Sequence, residues 1–173
     1  MQENQLLIAV PTKDHPEHIR YYLSELLPDA KKHHVDVCIY DSSSTEDIKH
    51  IVDGWHACGY TNLFYNKQDR NIKFWEKLKD IFVQEKYRYI WLCGDGFVPC
   101  LETSIDTLEE EMDKGRDLIG FTTRDDAELY LEVTDPLEMM EKYWDESTCW
   151  APWIVGAKFF TEKLCGGGIR ERV

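Results

Sequence analysis

Short apolar runs alternate with segments of helical period through the first two-thirds of this 173-residue chain. Each run is too short for a buried helix and is bounded by polar or turn-forming residues, which favours strands. Between the runs, apolar residues recur with the three- and four-residue spacing of amphipathic helices. Strands that alternate with crossover helices predict an α/β protein with a three-layer α/β/α, mostly parallel sheet. The predicted strands are residues 6–10, 35–40, 63–65, 89–93 and 118–122.

The rhythm changes beyond residue 124. Residues 129–133 alternate like an exposed strand, residues 136–143 could form a short helix, and residues 150–160 are apolar and aromatic without a helical period. We therefore expect one domain, residues 1–173, in which residues 126–173 form an extension packed on the same sheet. The glycine-rich ending is an unusual place for a domain to finish, because glycines usually lead into another element, so the chain could be the front part of a longer protein.

Charge limits the partners. The chain carries 20 basic and 33 acidic residues, a formal net charge of -13, which repels nucleic-acid backbones and anionic lipid surfaces. Its apolar runs are far shorter than the roughly 20 residues of a membrane span, so no transmembrane segment is expected. The N-terminus lacks the pattern of a secretory signal, which predicts a cytoplasmic protein.

The cysteines predict neither a metal site nor a disulfide framework. Six are scattered along the chain without a C-x-x-C pair, and several stand in apolar surroundings. Buried free thiols are therefore the favoured interpretation.

Polar loops follow the first four predicted strands, at residues 11–14, 41–45, 66–71 and 94–96. In an open parallel sheet, ligands bind outside the carboxyl ends of the strands, so these loops are expected to share the functional edge. The glycine-rich dinucleotide fingerprint, the P-loop and the hydrolase elbow are all absent from the sequence. A ligand at this edge must therefore be held by side chains, with or without a metal ion.

The order of the segments LLIAVPTKDHPEHIRYYLSEL, VDVCIYDSSSTEDI, NLFYNKQDRN and YRYIWLCGDGFVP resembles the nucleotide-sugar domain of GT-A-fold glycosyltransferases, especially family 2. The resemblance covers roughly the first 125 residues. A GG-x-x-E pattern at residues 167–171 is similar to that family's segment before the acceptor helix. This implies a GT-A fold with a nucleotide-sugar-binding half, residues 1–125, and an acceptor-side extension, residues 126–173.

The resemblance also implies roles for individual residues. The loop after the first strand would lie beside the nucleobase and ribose, the acid after the second strand would contact the uracil or ribose, and the segment after the third strand would close over the nucleotide. Asp95 matches one acid of the D-x-D motif that holds Mn²⁺ or Mg²⁺ against the diphosphate. The implied nucleotide-sugar site comprises Pro11, Thr12, Asp14, Asp41, Ser42, Ser43, Asp69, Arg70, Asn71, Gly94 and Asp95.

The implied function is transfer of a sugar, with inversion, from a UDP-sugar to a hydroxyl of a saccharide, lipid-linked or protein acceptor. A divalent ion would stabilise the negative charge that grows on the leaving nucleoside diphosphate. The sequence departs from the family in having a single acid, Asp95, where two or three are usual, and it ends where the catalytic base would follow. A non-catalytic GT-A-like module and a nucleotidyltransferase stay open as alternatives.

Structural roles compete with these functional ones. Asp14 and Asp41 could cap helices, with Ser44 as the predicted cap of the second helix. Gly94 and Gly96 could form a tight turn that needs positive φ, and residues 69–71 could be a solvated loop. Two histidine pairs, His15 with His18 and His33 with His34, are interpreted as surface or capping residues because no third metal ligand lies nearby in the sequence. Trp150 and Trp153 could stack on a sugar ring or pack in the core.

Overall fold

A computed structural model describes residues 5–42, 44–45, 47–68, 74–82, 86–120 and 153–156. Over these ranges, strands and helices alternate as the apolar pattern predicts, with boundaries that differ by one or two residues. The elements are β1 Leu6–Thr12, α1 Pro16–Lys32, β2 Asp36–Asp41, α2 Ile48–Ala57, β3 Leu63–Lys67, α3 Phe74–Phe82, β4 Tyr89–Leu92, α4 Leu101–Asp113, β5 Leu118–Gly120 and β6 Trp153–Gly156.

The strands form one sheet in the order β3-β2-β1-β4-β6-β5. Strands β1 to β4 pair in parallel, whereas β6 is antiparallel to both of its neighbours. The predicted α/β, mostly parallel sheet is confirmed. The segment 150–160 was expected as an irregular extension, but residues 153–156 within it form a strand between β4 and β5. The apolar segment 150–160 is longer than this strand and has no clear period, so the sequence does not show which of its residues pair with the sheet.

Helices lie on both faces of the sheet because successive side chains of a buried parallel strand point to opposite sides. Leu6, Ile8 and Val10 belong to the larger apolar cluster, with the buried faces of α1, α2 and α4. Leu7 and Ala9 belong to the second cluster, which includes the apolar residues of α3. The three predicted layers follow from these two clusters.

The start of α2 differs from the prediction. The side chain of Asp47, not that of Ser44, accepts a hydrogen bond from the backbone N–H of His50 in the first turn. Ser44 lies three residues earlier and bonds instead to Asp41 and Asp14. The predicted cap was therefore wrong. Ser44 instead connects the loops after β1 and β2 through its hydrogen bonds to Asp14 and Asp41.

Cysteines in the described ranges are all free. Cys38 and Cys93 are buried, as predicted, whereas Cys58 and Cys100 are exposed. Burial raises the pKa of the Cys38 thiol to about 12, so this group stays protonated at neutral pH.

None of the helices within the described ranges has both the length and the apolar surface needed to cross a bilayer. The predicted elements at 129–133 and 136–143, the side chain of Trp150 and the GG-x-x-E segment at 167–171 lie outside the described residues.

Candidate functional site

The carboxyl ends of β1 and β4 lie at the point where the strand order reverses. From β1 the chain moves through β2 to β3 at one edge, and it then crosses back to place β4 on the other flank of β1. Thr12 is the last residue of β1, and Asp95 follows β4 by three residues. The hydroxyl of Thr12 donates to Oδ2 of Asp95 over 2.6 Å. Two of the predicted site residues therefore meet at the topological switch point.

Two histidines share this position with Asp95. His15 is the N-cap residue of α1, and its Nδ1 lies 2.9 Å from Oδ2 of Asp95. His18 is three residues further along, so it shares a helix face with His15, and the two ring centroids are 4.9 Å apart. One ligand atom from each of the three residues lies within 4.8 Å of the others. Both histidines are exposed. Asp95 is the third possible metal ligand, which is distant in the sequence but adjacent in the fold.

Asp41, at the end of β2, is fully buried. Its Oδ1 accepts hydrogen bonds from the backbone N–H of Ser44, at 2.9 Å, and from the hydroxyl of the same residue. Its Oδ2 accepts a 2.7 Å hydrogen bond from the hydroxyl of Tyr65. Burial and this carboxylate raise the pKa of Tyr65, which keeps the phenol protonated as a donor. In this arrangement, a nucleotide reaches Asp41 only if Ser44 or Tyr65 moves.

Asp14 links the loop after β1 to the loop after β2. Its backbone has a φ of 56°, in the left-handed region that aspartate tolerates better than most residues. Its N–H donates to Oγ of Ser44 at 2.8 Å, and its Oδ1 accepts from both the N–H and the hydroxyl of Thr45. These bonds hold the chain immediately before His15 in one conformation.

Lys77 is a charged residue that the sequence analysis did not select. It lies on α3 with only 6% of its surface exposed. Burial lowers the pKa of Lys77, and the nearby carboxylates of Asp41 and Asp95 oppose this effect only in part. Within the described part of the chain, no carboxylate is close enough to Lys77 to form an ion pair. The sequence does contain a sign of this burial. Lys77 occupies a position of the apolar stripe of α3, three residues after Phe74 and four before Ile81, where a buried side chain is expected.

The remaining predicted site residues differ in their burial. Ser42 is buried, and its Oγ has no hydrogen-bond partner among the described residues. Pro11 is half-buried near the end of β1, and Gly94 is exposed. The tight turn considered as an alternative at Gly94 and Gly96 is present, closed by a 3.0 Å hydrogen bond from the N–H of Phe97 to the carbonyl of Gly94, but it needs no positive φ: the positive-φ glycines of the described ranges are Gly59 and Gly115. Ser43, Asp69, Arg70 and Asn71 lie outside the described residues.

Solved structures of similar shape identify the fold. The chain is similar to residues 1–349 of TarS from S. aureus, with a TM-score of 0.63, 13% identity and coverage of 91% of this chain and 48% of that one. It is also similar to the mannosyltransferase PcManGT from Pyrobaculum calidifontis, with a TM-score of 0.64, 12% identity and coverage of 97% and 48%. This chain has the GT-A fold. It spans about half the length of these GT-A structures.

Some of these GT-A structures contain ligands. A second TarS structure, with a TM-score of 0.61, 15% identity and coverage of 91% of this chain and 47% of that one, is a complex with UDP-GlcNAc. The PcManGT structure is a complex with GDP-Man and Mn²⁺. At these identities, the similarity establishes the GT-A fold of this chain and not its ligand.

Sequence comparison does not place this GT-A chain in a family. No protein-family model matches it. The chain is similar to the transposon Tf2-3 and Tf2-4 polyproteins of Schizosaccharomyces pombe, at 28% identity over 108 residues, which is 58% of this chain and 7% of each polyprotein. The chain thus spans a small fraction of these relatives, and membership of family 2 stays a prediction.

Proposed function

We propose that this chain is the donor-binding part of a nucleotide-sugar-dependent glycosyltransferase. The observation that supports this most directly is the contact between Thr12 and Asp95 at the switch point of a GT-A sheet. It brings the loop expected beside the nucleoside and the acid expected beside the diphosphate to one edge, which is where ligands of open α/β sheets bind.

The nucleoside half of the donor is proposed to lie over the loops after β1 and β2. Ser42 provides a buried hydroxyl without a partner among the described residues, and an unpaired buried hydroxyl is costly unless a ligand or water satisfies it. The neighbouring residue, Asp41, accepts hydrogen bonds from Ser44 and Tyr65, which restrict the loop that carries Ser42. The other residues proposed to contact the nucleoside are Pro11, Thr12, Asp14 and Ser43.

The diphosphate half is proposed to lie beside Asp95 and Lys77. A chain with a net charge of -13 needs local positive charge to hold a diphosphate. Lys77 supplies one buried cation that interacts electrostatically with Asp95 without forming an ion pair, and the N-terminus of α1, a helix of 17 residues, favours an anion. Asp69, Arg70, Asn71 and Gly94 are further proposed contacts of the donor.

A divalent ion, Mn²⁺ or Mg²⁺, is the proposed cofactor. The partly exposed carboxylate of Asp95 lies at the switch point and fits such an ion, because carboxylate oxygens are ligands of both metals. When bound, the ion would stabilise the negative charge of the leaving nucleoside diphosphate. Thr12 orients the Asp95 carboxylate through its hydroxyl.

UDP is the proposed nucleotide, and a hydroxyl of a saccharide, lipid-linked or protein molecule is the proposed acceptor. Inversion at the sugar, an acceptor-side role for residues 126–173 and a cytoplasmic location belong to the same proposal.

Thermal unfolding with and without ligand tests the proposal. UDP with Mn²⁺ at about 100 times its Kd should stabilise the chain by about 2.7 kcal/mol, which raises the Tm by about 5–10 °C. Asp41→Asn and Asp95→Ala should lose most of this shift relative to their own ligand-free Tm. Asp106→Ala, at an exposed position on α4, is the matched control and should keep it.

A non-catalytic GT-A module is the second candidate, because Asp95 stands alone between Gly94 and Gly96. Nucleotide binding without sugar transfer would favour that candidate. The absence of any shift with UDP, GDP or their sugars would contradict donor binding. Pyrophosphate release from a nucleoside triphosphate would instead indicate a nucleotidyltransferase.

A further inference from the structure

We propose that His15, His18 and Asp95 form a three-ligand metal site that prefers a transition-metal ion such as Zn²⁺ or Co²⁺ to Mg²⁺. The site rests on the proposed function and narrows its cofactor: two imidazoles beside Asp95 disfavour Mg²⁺, leave Mn²⁺ as a weaker-binding candidate and add Zn²⁺ and Co²⁺. Binding of the metal itself needs no nucleotide, so the two proposals can be tested separately.

The distances within the cluster suit a shared ion. Two ligands about 2.1 Å from a metal, on adjacent octahedral positions, are about 3 Å apart. Nδ1 of His15 and Oδ2 of Asp95 are 2.9 Å apart, and an atom of His18 completes a set that spans no more than 4.8 Å. Both histidines are exposed, so their side chains can rotate to bring the third ligand toward the same ion.

The chemistry of the ligands decides the preference. Mg²⁺ demands oxygen ligands, whereas imidazole nitrogen suits zinc and the later first-row metals. Two of the three groups here are imidazoles. A single carboxylate with two imidazoles should therefore bind Zn²⁺ or Co²⁺ well, Mn²⁺ less well and Mg²⁺ poorly.

Surrounding residues hold this cluster in place. Thr12 donates to Oδ2 of Asp95 and restricts the rotation of the carboxylate. The left-handed backbone of Asp14, fixed by hydrogen bonds to Ser44 and Thr45, sets the position of His15. Hydrogen bonds of this kind orient metal ligands and contribute to affinity.

Three protein ligands leave coordination positions open. Sites with three protein ligands characteristically accept water or a substrate atom at the remaining positions. At this edge of the sheet, the substrate atoms would be the phosphate oxygens of the proposed donor. The N-terminus of α1 disfavours a cation, and the charge of Asp95 offsets this.

The test is a titration of the full 173-residue chain with Co²⁺ in the absence of nucleotide, followed by visible absorption and calorimetry. We expect one equivalent to bind, and competition should show Zn²⁺ displacing Co²⁺ while millimolar Mg²⁺ does not. His18→Ala and Asp95→Asn should each weaken binding at least tenfold. His50→Ala, which removes an exposed histidine of α2, should leave it unchanged.

His18→Gln is a second variant that preserves the length of the side chain, and circular dichroism checks that each variant is folded. Unchanged Co²⁺ affinity in the folded His18 and Asp95 variants would overturn the proposal, as would Mg²⁺ binding as tightly as Co²⁺. If UDP with Mg²⁺ stabilises the chain but Co²⁺ does not bind, the metal site fails and the donor site stands. If Co²⁺ binds and no nucleotide does, the reverse holds.

Discussion

The hydroxyl of Thr12 and the carboxylate of Asp95 are 83 residues apart in the sequence and 2.6 Å apart in the fold. Thr12 ends β1, and Asp95 lies in the loop after the neighbouring parallel strand. Their hydrogen bond therefore reports directly on the register of β1 and β4 at the edge where a ligand is expected.

Removal of this hydroxyl should loosen the Asp95 carboxylate. Thr12→Val keeps the shape of the buried side chain but leaves Oδ2 without one donor, so we expect a loss of about 1–2 kcal/mol in the free energy of unfolding. Thr12→Ser should retain most of the stability because it keeps the hydroxyl. Urea denaturation measures both, and equal midpoints for Thr12→Val and the wild type would contradict the role assigned to this bond.

The buried pair of Asp41 and Tyr65 should be strongly coupled. Asp41→Asn places an amide beside donors that need an acceptor, and we expect it to cost about 2–3 kcal/mol. Tyr65→Phe removes one of these donors and should make the Asp41→Asn change less costly. A double-mutant cycle in urea measures the coupling. Strict additivity of the two changes would show that the bond contributes nothing.

Replacement of Lys77 should affect nucleotide binding but not the stability of the fold. Lys77→Met removes a buried charge of similar volume, so we expect no loss of stability at pH 7. The same change should abolish most of the thermal shift caused by UDP, because the cation proposed to hold the diphosphate is gone. Lys79→Met is the matched control on the exposed side of α3 and should bind as the wild type does. Normal nucleotide binding by Lys77→Met would remove Lys77 from the site.

The depressed pKa of Lys77 also predicts a pH dependence. Between its folded pKa and the ordinary value of 10.5, the unfolded chain binds more protons than the native chain, so this group adds stability as pH rises through that interval. The free-energy difference between the wild type and Lys77→Met should therefore shift in favour of the wild type from neutral pH to pH 10. Urea midpoints at several pH values measure the difference, and a constant difference would contradict it.

Tyr65 should act in the opposite direction. Its pKa is raised in the folded chain, so above the ordinary value of 10 the unfolded chain loses this proton first and stability falls. Tyr65→Phe should reduce the fall between pH 9 and pH 11. Urea unfolding over that range, with tyrosinate absorbance as a second signal, tests the direction. An equally steep fall in Tyr65→Phe would assign the effect to other tyrosines.

The sequence was most informative where the required information was local. The apolar runs identified β1 to β4, and the polar residues after them identified Thr12, Asp41 and Asp95 as belonging to one edge. Parallel topology alone brings such loops together, so their convergence needed no knowledge of side-chain contacts.

Contacts between distant segments were out of reach. His15 and His18 are exposed, as predicted, but their proximity to Asp95 could not be foreseen because that residue is about 80 positions away in the chain. The cap of α2 was assigned to Ser44, since nothing local shows that Asp41 and Asp14 compete for its hydroxyl. In both places the side-chain positions depend on contacts between distant segments, which local sequence preference does not reveal.

Strand β1 is paired on both flanks, by β2 and by β4. The threonine that holds Asp95 is therefore attached to a segment with little freedom to rearrange. The Asp95 carboxylate is therefore already oriented before a ligand binds, so binding costs little conformational entropy for ordering this side chain.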